Sequence, residues 1–461
     1  MAVACVSVNA LAQDREDPPN IIMIVGDDHG WFYSGFMGDE IVQTPTLDQL
    51  AEEGTVFTHG YSTASVCRPA LRTLLSGMHP RVWDHHIDEI KRQSGLNFGS
   101  YQEIQFIQTL PRRLSEAGYT SFEAGKYWEG TFDRAGFDAG MADTWVGGFS
   151  QDGDDFGRPS TQELWDFLDG DDEPPFFLWL APMLPHTPLD PGPEFTQLYQ
   201  EQGLVNTAVL YYANISRLDA LIEEVLGQLA NRGLDENTLI VYVSDNGLEQ
   251  DPYQEHPWGF ILGGDRGKIS MYELGFRSPI LFHWPGRIPA GQRFADLVSF
   301  EDIYSTLLDY GGVPPGSKDT GRTLRGRIEG RQQTPVRDRI FGMMDQVRAR
   351  PEEHVTGSGM ASLITDERAG FARTQDWRFV HFIDRGEREL YRIEEDPLEQ
   401  INLVDDHPEL ARRLEEDLAN WIEQGYLVPE PSASRLAVAA LLSLCWLARL
   451  QTASPDIHSR P

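Results

Sequence analysis

Lysine is scarce in this 461-residue chain: Lys91, Lys126, Lys268 and Lys318 are the whole complement, and arginine supplies the rest of the 38 basic residues. Against 72 acidic residues the formal net charge is −34. A surface of that sign repels DNA and RNA, which argues against a nucleic-acid partner. An anionic substrate must instead be caught by a local cationic site, so a lysine inside a motif is informative. Disorder is excluded as a general description, because hydrophobic residues make up 40% of the chain and charged residues 24%.

Cysteine is equally sparse, at Cys5, Cys67 and Cys445. The first and last lie in apolar terminal stretches. Residues 1–12 end in Ala10-Leu11-Ala12, a small-x-small cleavage pattern, and read as a signal-peptide remnant whose start is expected upstream. Pro429-Glu430-Pro431, Arg435 and an apolar run from Leu436 to Leu450 resemble a PEP-CTERM sorting tail over residues 428–461. That run falls short of the ~20 residues that span a bilayer comfortably. Together the ends predict an exported protein, periplasmic or at the cell surface, whose tail is handled by sorting machinery. Removal of both leaves Cys67 alone, without a disulfide partner.

Between the ends, short β-branched apolar runs alternate with helical periodicity. Strands are expected at Asn20–Val25, Tyr119–Glu123, Pro175–Ala181, Thr238–Val243 and Pro279–Trp284. Helices are expected at Thr46–Glu53, Pro69–Ser76, Leu110–Ala117, Thr207–Ala230 and Phe300–Tyr310. Such alternation predicts an α/β fold with a large, mostly parallel sheet flanked by helices. After about Gly312 the texture turns to Gly, Pro, Arg and Asp; strand signals at Phe371–Ile383 and Leu390–Ile393 and a helix at Pro408–Gln424 follow. The expected division is a catalytic domain over residues 19–312 and a smaller α+β subdomain over residues 313–427.

Chemistry-bearing residues cluster just past the expected strands, where open α/β sheets place their ligand sites. Asp27 and Asp28 repel each other unless a cation lies between them, although such a pair also serves as a turn or cap. Asp245 and Asn246 add a carboxylate and an amide oxygen, the ligand set of a hard divalent ion such as Ca2+. Cys67 stands at the mouth of a helix, where free backbone N–H groups favour an oxyanion. Lys126, His186 and Lys268 each follow a strand or sit in a Gly-rich loop. Taken singly, each of these also reads as an ordinary surface or turn residue.

In combination the motifs resemble those of the type I, formylglycine-dependent sulfatases of the alkaline phosphatase superfamily. Cys67, Pro69 and Leu75-Ser76-Gly77 keep step with the family signature. Thr44–Asp48, Ala117-Gly118-Tyr119, Tyr272-Glu273 with Arg277-Ser278-Pro279, and Leu390-Tyr391 with Asp396-Pro397 and Asn402-Leu403 are further echoes, in order, across residues 19–403. The resemblance implies that a maturation enzyme oxidises Cys67 to formylglycine. It implies that Asp27, Asp28, Asp245 and Asn246, with residue 67, hold Ca2+, while Lys126 and Lys268 neutralise the sulfate. His186 would protonate the departing alcohol. The implied substrate is a sulfate ester, above all a sulfated carbohydrate. The alternatives are a phosphodiesterase or phosphonate monoester hydrolase of the same superfamily, or a non-catalytic protein that binds sulfated glycans. Two positions depart from the family pattern: Leu71 stands where an arginine is usual, and Trp128 where a histidine is usual. His59, Arg81 and His85 are the expected replacements for the lost polar groups. Trp31, Tyr33, Trp128 and Trp258 are the aromatic residues considered for a sugar cleft, with core packing as the alternative.

Overall fold

A computed structural model describes residues 18–424, apart from residue 127 and residues 142–144, 147–148, 151–160, 171–174, 249–265 and 349–363. The terminal expectations, Cys5, Cys445 and Trp258 therefore lie outside the described residues. No helix among the described residues is long and apolar enough to cross a membrane.

The central element is an eight-stranded sheet. Its strands are β1 (Asn20–Gly26), β2 (Thr55–Tyr61), β3 (Thr120–Gly125), β4 (Ala139–Gly140), β5 (Phe176–Ala181), β6 (Thr238–Ser244), β7 (Arg277–His283) and β8 (Gln292–Ser299), in the spatial order β8-β2-β7-β6-β1-β5-β3-β4. All neighbours are parallel except β7, which runs antiparallel to both β2 and β6. The three central strands are apolar on both faces because helices cover both. Ile21, Met23 and Val25 of β1, Phe177 and Trp179 of β5, and Leu239, Val241 and Val243 of β6 enter one core. The alternate residues Ile22, Ile24, Leu178, Leu180, Ile240 and Tyr242 enter the other. A continuous apolar run is thus two interleaved faces, as a buried parallel sheet requires.

The first core is closed by α2 (Cys67–Ser76), α3 (Pro80–Ser94) and α5 (Phe300–Tyr310), the second by α1 (Pro45–Glu52) and α4 (Asn206–Asn231). Helix α2 contributes Ala70, Leu71, Leu74 and Leu75, and ends where Gly77 turns left-handed at φ 68°. A Cβ at Gly77 would also meet Tyr304 of α5 at 2.3 Å, so only glycine fits that close approach.

Beyond α5 a second, antiparallel sheet forms from β9 (Ile340–Met344), β10 (Ala369–Arg373), β11 (Trp377–Phe382) and β12 (Glu387–Arg392). Helix α6 (Pro408–Gln424) covers one face through Ala411, Leu414 and Leu418. The other face packs on the main body through Phe371, Val380, Phe276 and Leu297. A buried ionic knot pins this junction. Glu273 is 3.2 Å from Arg373 Nε and 3.1 Å from Arg378 Nη1, and it accepts the Tyr61 hydroxyl hydrogen bond at 2.9 Å.

Candidate active site

Four neighbouring parallel strands, β6-β1-β5-β3, end at the same edge of the sheet, and each delivers a polar residue there. Strand β1 runs into Asp27 and Asp28, and β6 into Asp245 and Asn246. Strand β3 runs into Lys126, and the segment after β5 carries His186. At the end of β3, Gly125 takes φ 98°, and a Cβ there would lie 2.2 Å from the Ala181 carbonyl oxygen. The tight turn that aims Lys126 inward therefore demands glycine.

The loops are tied together by their backbones. Asp245 N–H donates to the Gly26 carbonyl at 2.8 Å, and Asp28 N–H to Asp245 Oδ1 at 3.0 Å. His29 locks the β1 turn, with Nδ1 at 2.6 Å from the Tyr242 hydroxyl and its main-chain N–H on Ser244 Oγ at 2.9 Å. Helix α2 is brought up by Ile269 N–H, which donates to the Ser65 carbonyl at 2.9 Å. Asp28, Trp128 and Ile269 all adopt left-handed backbone, at φ 60°, 67° and 69°. Such strain in non-glycine residues persists where surrounding contacts over-determine it, characteristically at functional sites.

The side chains converge in a buried nest. Cys67 Sγ is 3.8 Å from Asp28 Oδ1 and 3.4 Å from Asn246 Nδ2. Donor atoms of Asp27, Asp28, Cys67 and Asp245 lie within 4.8 Å of one another. Lys126 Nζ bonds Asp27 Oδ1 and stands 3.2 Å from Asp245 Oδ2; Lys268 Nζ is 2.6 Å from Asp28 Oδ2. His186 Nε2 lies 3.5 Å from the same Asp28 oxygen, while its Nδ1 donates to the Thr187 carbonyl at 2.6 Å. The eight residues singled out in the sequence thus occupy one place. Fully ionised, the three carboxylates would outnumber the two ammonium groups by one.

The electrostatics follow from burial. Burial, reinforced by Asp245 and Asp28, pushes the Asp27 carboxyl up to about 8 despite Lys126. Burial also acts on Asp28, but Lys268, His186 and Lys126 outweigh it and hold that carboxyl at about 2. Burial pushes the Cys67 thiol up, and Asp245 adds to the rise. An unmodified Cys67 is therefore a neutral thiol rather than a reactive thiolate. Asp27 Oδ2 and Asn246 Oδ1 are buried without a hydrogen-bond partner among the described residues. Orphaned acceptors, and a carboxyl that burial keeps protonated until a positive ion displaces its proton, fit a cation, and the oxygen donors of Asp27, Asp28, Asp245 and Asn246 suit a hard one. The residues present match a divalent metal.

A cavity of about 1500 Å³ opens over Cys67, Lys268 and His186. Met343, Met344 and Asp345 at the end of β9 form part of its wall, so both sheets frame it. Several sequence-based expectations are corrected here. His59 and His85 do not line the cavity; His59 is held within β2, where burial and Arg277 push its pKa down to about 3. Arg81 does line it, at the mouth, paired with Asp345 at 2.9 Å. Tyr33 is a core residue packed on Tyr211 and Tyr212, and Trp31 stacks under Arg277 at 3.7 Å. Of the described aromatic residues proposed for a cleft, Trp128 alone reaches it, and its ring lies 5.3 Å from Lys126 Nζ. Helix α2 begins at Cys67, two residues before the expected Pro69. Leu71 is 1% exposed in the first core, and Arg72 turns away to Glu129 and Glu103, as the ~100° rotation per helical residue dictates. Sequence reasoning missed Arg68, which lines the cavity and forks onto Glu129. Its only local signal is its place beside Cys67.

Residues 19–313 match the family model described as sulfatase, and residues 264–424 match that of the N-sulphoglucosamine sulphohydrolase C-terminal region. The chain belongs to the sulfatase family. A similar curated relative is N-acetylgalactosamine-6-sulfatase from Mus musculus, 28% identical over 356 residues, covering 68% of this chain and 66% of the relative. The chain thus spans just under two thirds of that relative's length. An ulvan-active sulfatase from Formosa agariphila is 24% identical over 452 residues, covering 90% of this chain and 82% of the relative. Among solved structures, a protein in complex with its substrate D-glucosamine-2-N,6-O-disulfate superposes with a TM-score of 0.67 at 21% identity, covering 89% of this chain and 98% of that one. At that identity the likeness establishes the fold.

Proposed function

We propose that the protein is an exported sulfatase that hydrolyses sulfate esters of carbohydrates, using Ca2+ and a formylglycine made from Cys67. The observation that carries this reading is the nest itself: three carboxylates and an orphaned amide oxygen surround the only cysteine of the described residues, at the floor of an open cavity. The named activities of the relatives, on N-acetylgalactosamine 6-sulfate and on ulvan, support a sulfated sugar as substrate.

Asp27, Asp28, Asp245 and Asn246 would hold the ion. When bound, calcium supplies positive charge that offsets the sulfate and the charge developing on its oxygens. Conversion of residue 67 would place two hydroxyls on one carbon, one to attack sulfur and one to let sulfate leave, which a single thiol does not offer. Lys126 and Lys268, each already pointing into the nest, would fix the sulfate oxygens and raise the electrophilicity of sulfur. With Nδ1 committed to Thr187, His186 presents Nε2 to the cavity, and it is the nitrogen placed to hand a proton to the leaving alcohol. Helix α2 points its N-terminus, free of any side-chain cap, at the same spot. The partners of this reading are a formylglycine-generating maturation enzyme and sorting machinery for the tail.

The test is a desulfation screen over sulfated algal and animal glycans with chain co-expressed with a maturation enzyme. Release of inorganic sulfate from a sugar ester supports the reading. Conversion of Cys67 without release from any sugar or aryl ester contradicts it.

A further inference from the structure

We infer that Tyr211 is a positioning residue of the metal site: its hydroxyl clamps the strained turn that aims the Asp28 carboxylate into the nest. This role rests on the proposed metal reading of that nest. Asp28 stands in left-handed backbone at φ 60° without being glycine. Such a conformation is costly and persists only where neighbours hold it. The end of β6 holds one side of the turn, where Asp28 N–H donates to Asp245 Oδ1 and His29 N–H to Ser244 Oγ. The other side is held by Tyr211, in the second turn of α4. Its hydroxyl accepts from the Gly30 N–H at 3.0 Å and donates to the Asp28 carbonyl at 3.1 Å.

Bridging a carbonyl to an N–H takes a group that donates and accepts at once, as a phenol does and a phenyl ring does not. Among the described residues, neither the Asp28 carbonyl nor the Gly30 N–H has another hydrogen-bond partner, and both residues are buried. The tyrosine ring is itself fixed. It is 2% exposed and meets Tyr33 edge-on at 5.3 Å, while Tyr33 N–H donates back to the Gly30 carbonyl at 3.0 Å. Loss of the hydroxyl orphans two buried main-chain groups. The turn regains partners by leaving its left-handed form, and the Asp28 side chain moves with it. On that side chain Lys268 Nζ, His186 Nε2 and Cys67 Sγ converge, at 2.6, 3.5 and 3.8 Å. Affinity for a cation held through Asp28 then falls with the fraction of molecules that keep the turn.

The test is calorimetric titration of Ca2+ into the full, unconverted chain. Tyr211→Phe removes one oxygen and should bind about tenfold more weakly than wild type. The control is Tyr199→Phe. Tyr199 belongs to the same buried aromatic cluster, but its hydroxyl serves Ser216 and the Gln43 N–H rather than the Asp28 turn. That variant should lose stability yet keep the wild-type affinity; a merely structural role for Tyr211 would lower Tm in both variants and leave both affinities alone. Tyr211→Phe binding as tightly as wild type, or Tyr199→Phe weakened equally, overturns the inference. Hydrogen exchange on wild type gives a reading that needs no variant to fold. The Gly30 amide should exchange slowly in the Ca2+-loaded chain, and fast exchange there also overturns the inference. A wild type that binds no Ca2+ fails the metal reading and this inference with it, whereas unchanged affinity in Tyr211→Phe beside a wild type that binds fails the inference alone.

Discussion

Lys126 Nζ stands 3.2 Å from Asp245 Oδ2 while it bonds Asp27, so one buried ammonium joins the carboxyl ends of neighbouring strands β1 and β6. Even with Lys268 on Asp28, the nest keeps two orphaned oxygens, and its Asp27 carboxyl is pushed up to about 8. A divalent ion should therefore stabilise the fold by mass action, by about 2.7 kcal/mol at a hundredfold excess over its Kd. Differential scanning calorimetry with Ca2+ and then a chelator should show a reversible rise in Tm. Asp245→Asn should remove most of the rise. A Tm indifferent to Ca2+ would contradict the metal reading.

Burial holds Cys67 as a thiol, raised above its ordinary value. Unconverted protein should therefore resist iodoacetamide at pH 8 while folded and react once denatured. After co-expression with a maturation enzyme, the peptide containing Cys67 should lose its sulfur and gain an aldehyde, as read by mass spectrometry and hydrazide capture. Rapid alkylation of the native thiol would mean that the nest is open and solvated.

Leu71 occupies a helical position that faces Leu74, Leu75 and α5 in the first core. Restoring the arginine usual in the family should not improve this protein. Leu71→Arg buries an uncompensated charge and should cost about 3 kcal/mol or more, seen as a lower urea midpoint. A stable and more active Leu71→Arg variant would show that this reading of the helix is wrong.

The knot at the junction of the two sheets titrates. Burial would raise Glu273, but Arg373, Arg378 and Arg277 outweigh it and lower its pKa from 4.5 to about 2. A depressed folded pKa gives stability that is fully present above pH 4.5 and lost as pH falls toward 2. Glu273→Gln should thus destabilise by about 3–5 kcal/mol at pH 7, and the gap from wild type should close between pH 4.5 and 2. Denaturation at several pH values checks this; a constant gap would place the effect elsewhere.

The central strands were legible because their burial on both faces makes them unbroken apolar runs. Strand β1 was expected to end at Val25 and ends at Gly26, and α5 has the expected bounds Phe300–Tyr310. Strands β2 and β8 were not foreseen. Strand β2, TVFTHGY, carries a histidine and a glycine, and β8, at the sheet edge, starts with alternating half-exposed and exposed residues. Helix α3 was missed because only Val82, Trp83 and Ile87 of its fifteen residues are buried, a narrow stripe in a charged segment. The nest was legible because each of its carboxylates immediately follows a readable strand. Arg68 and Glu129 were not, because only the fold brings the turn after Cys67 against the turn after Trp128.

His186 offers Nε2 to the cavity, so its loss should depend on how much help the leaving group needs. His186→Ala should lower turnover of a sugar sulfate by about 10²–10⁴-fold, and that of 4-nitrophenyl sulfate far less. Equal losses on both substrates would assign His186 to sulfate binding instead.

The most direct measurement compares 4-nitrophenyl sulfate with 4-nitrophenyl phosphate as substrates of the converted, Ca2+-loaded chain, with Cys67→Ala as reference. Sulfate turnover that exceeds phosphate turnover and vanishes in the variant is the predicted result. Faster phosphate turnover, or a variant that keeps its rate, would contradict the account.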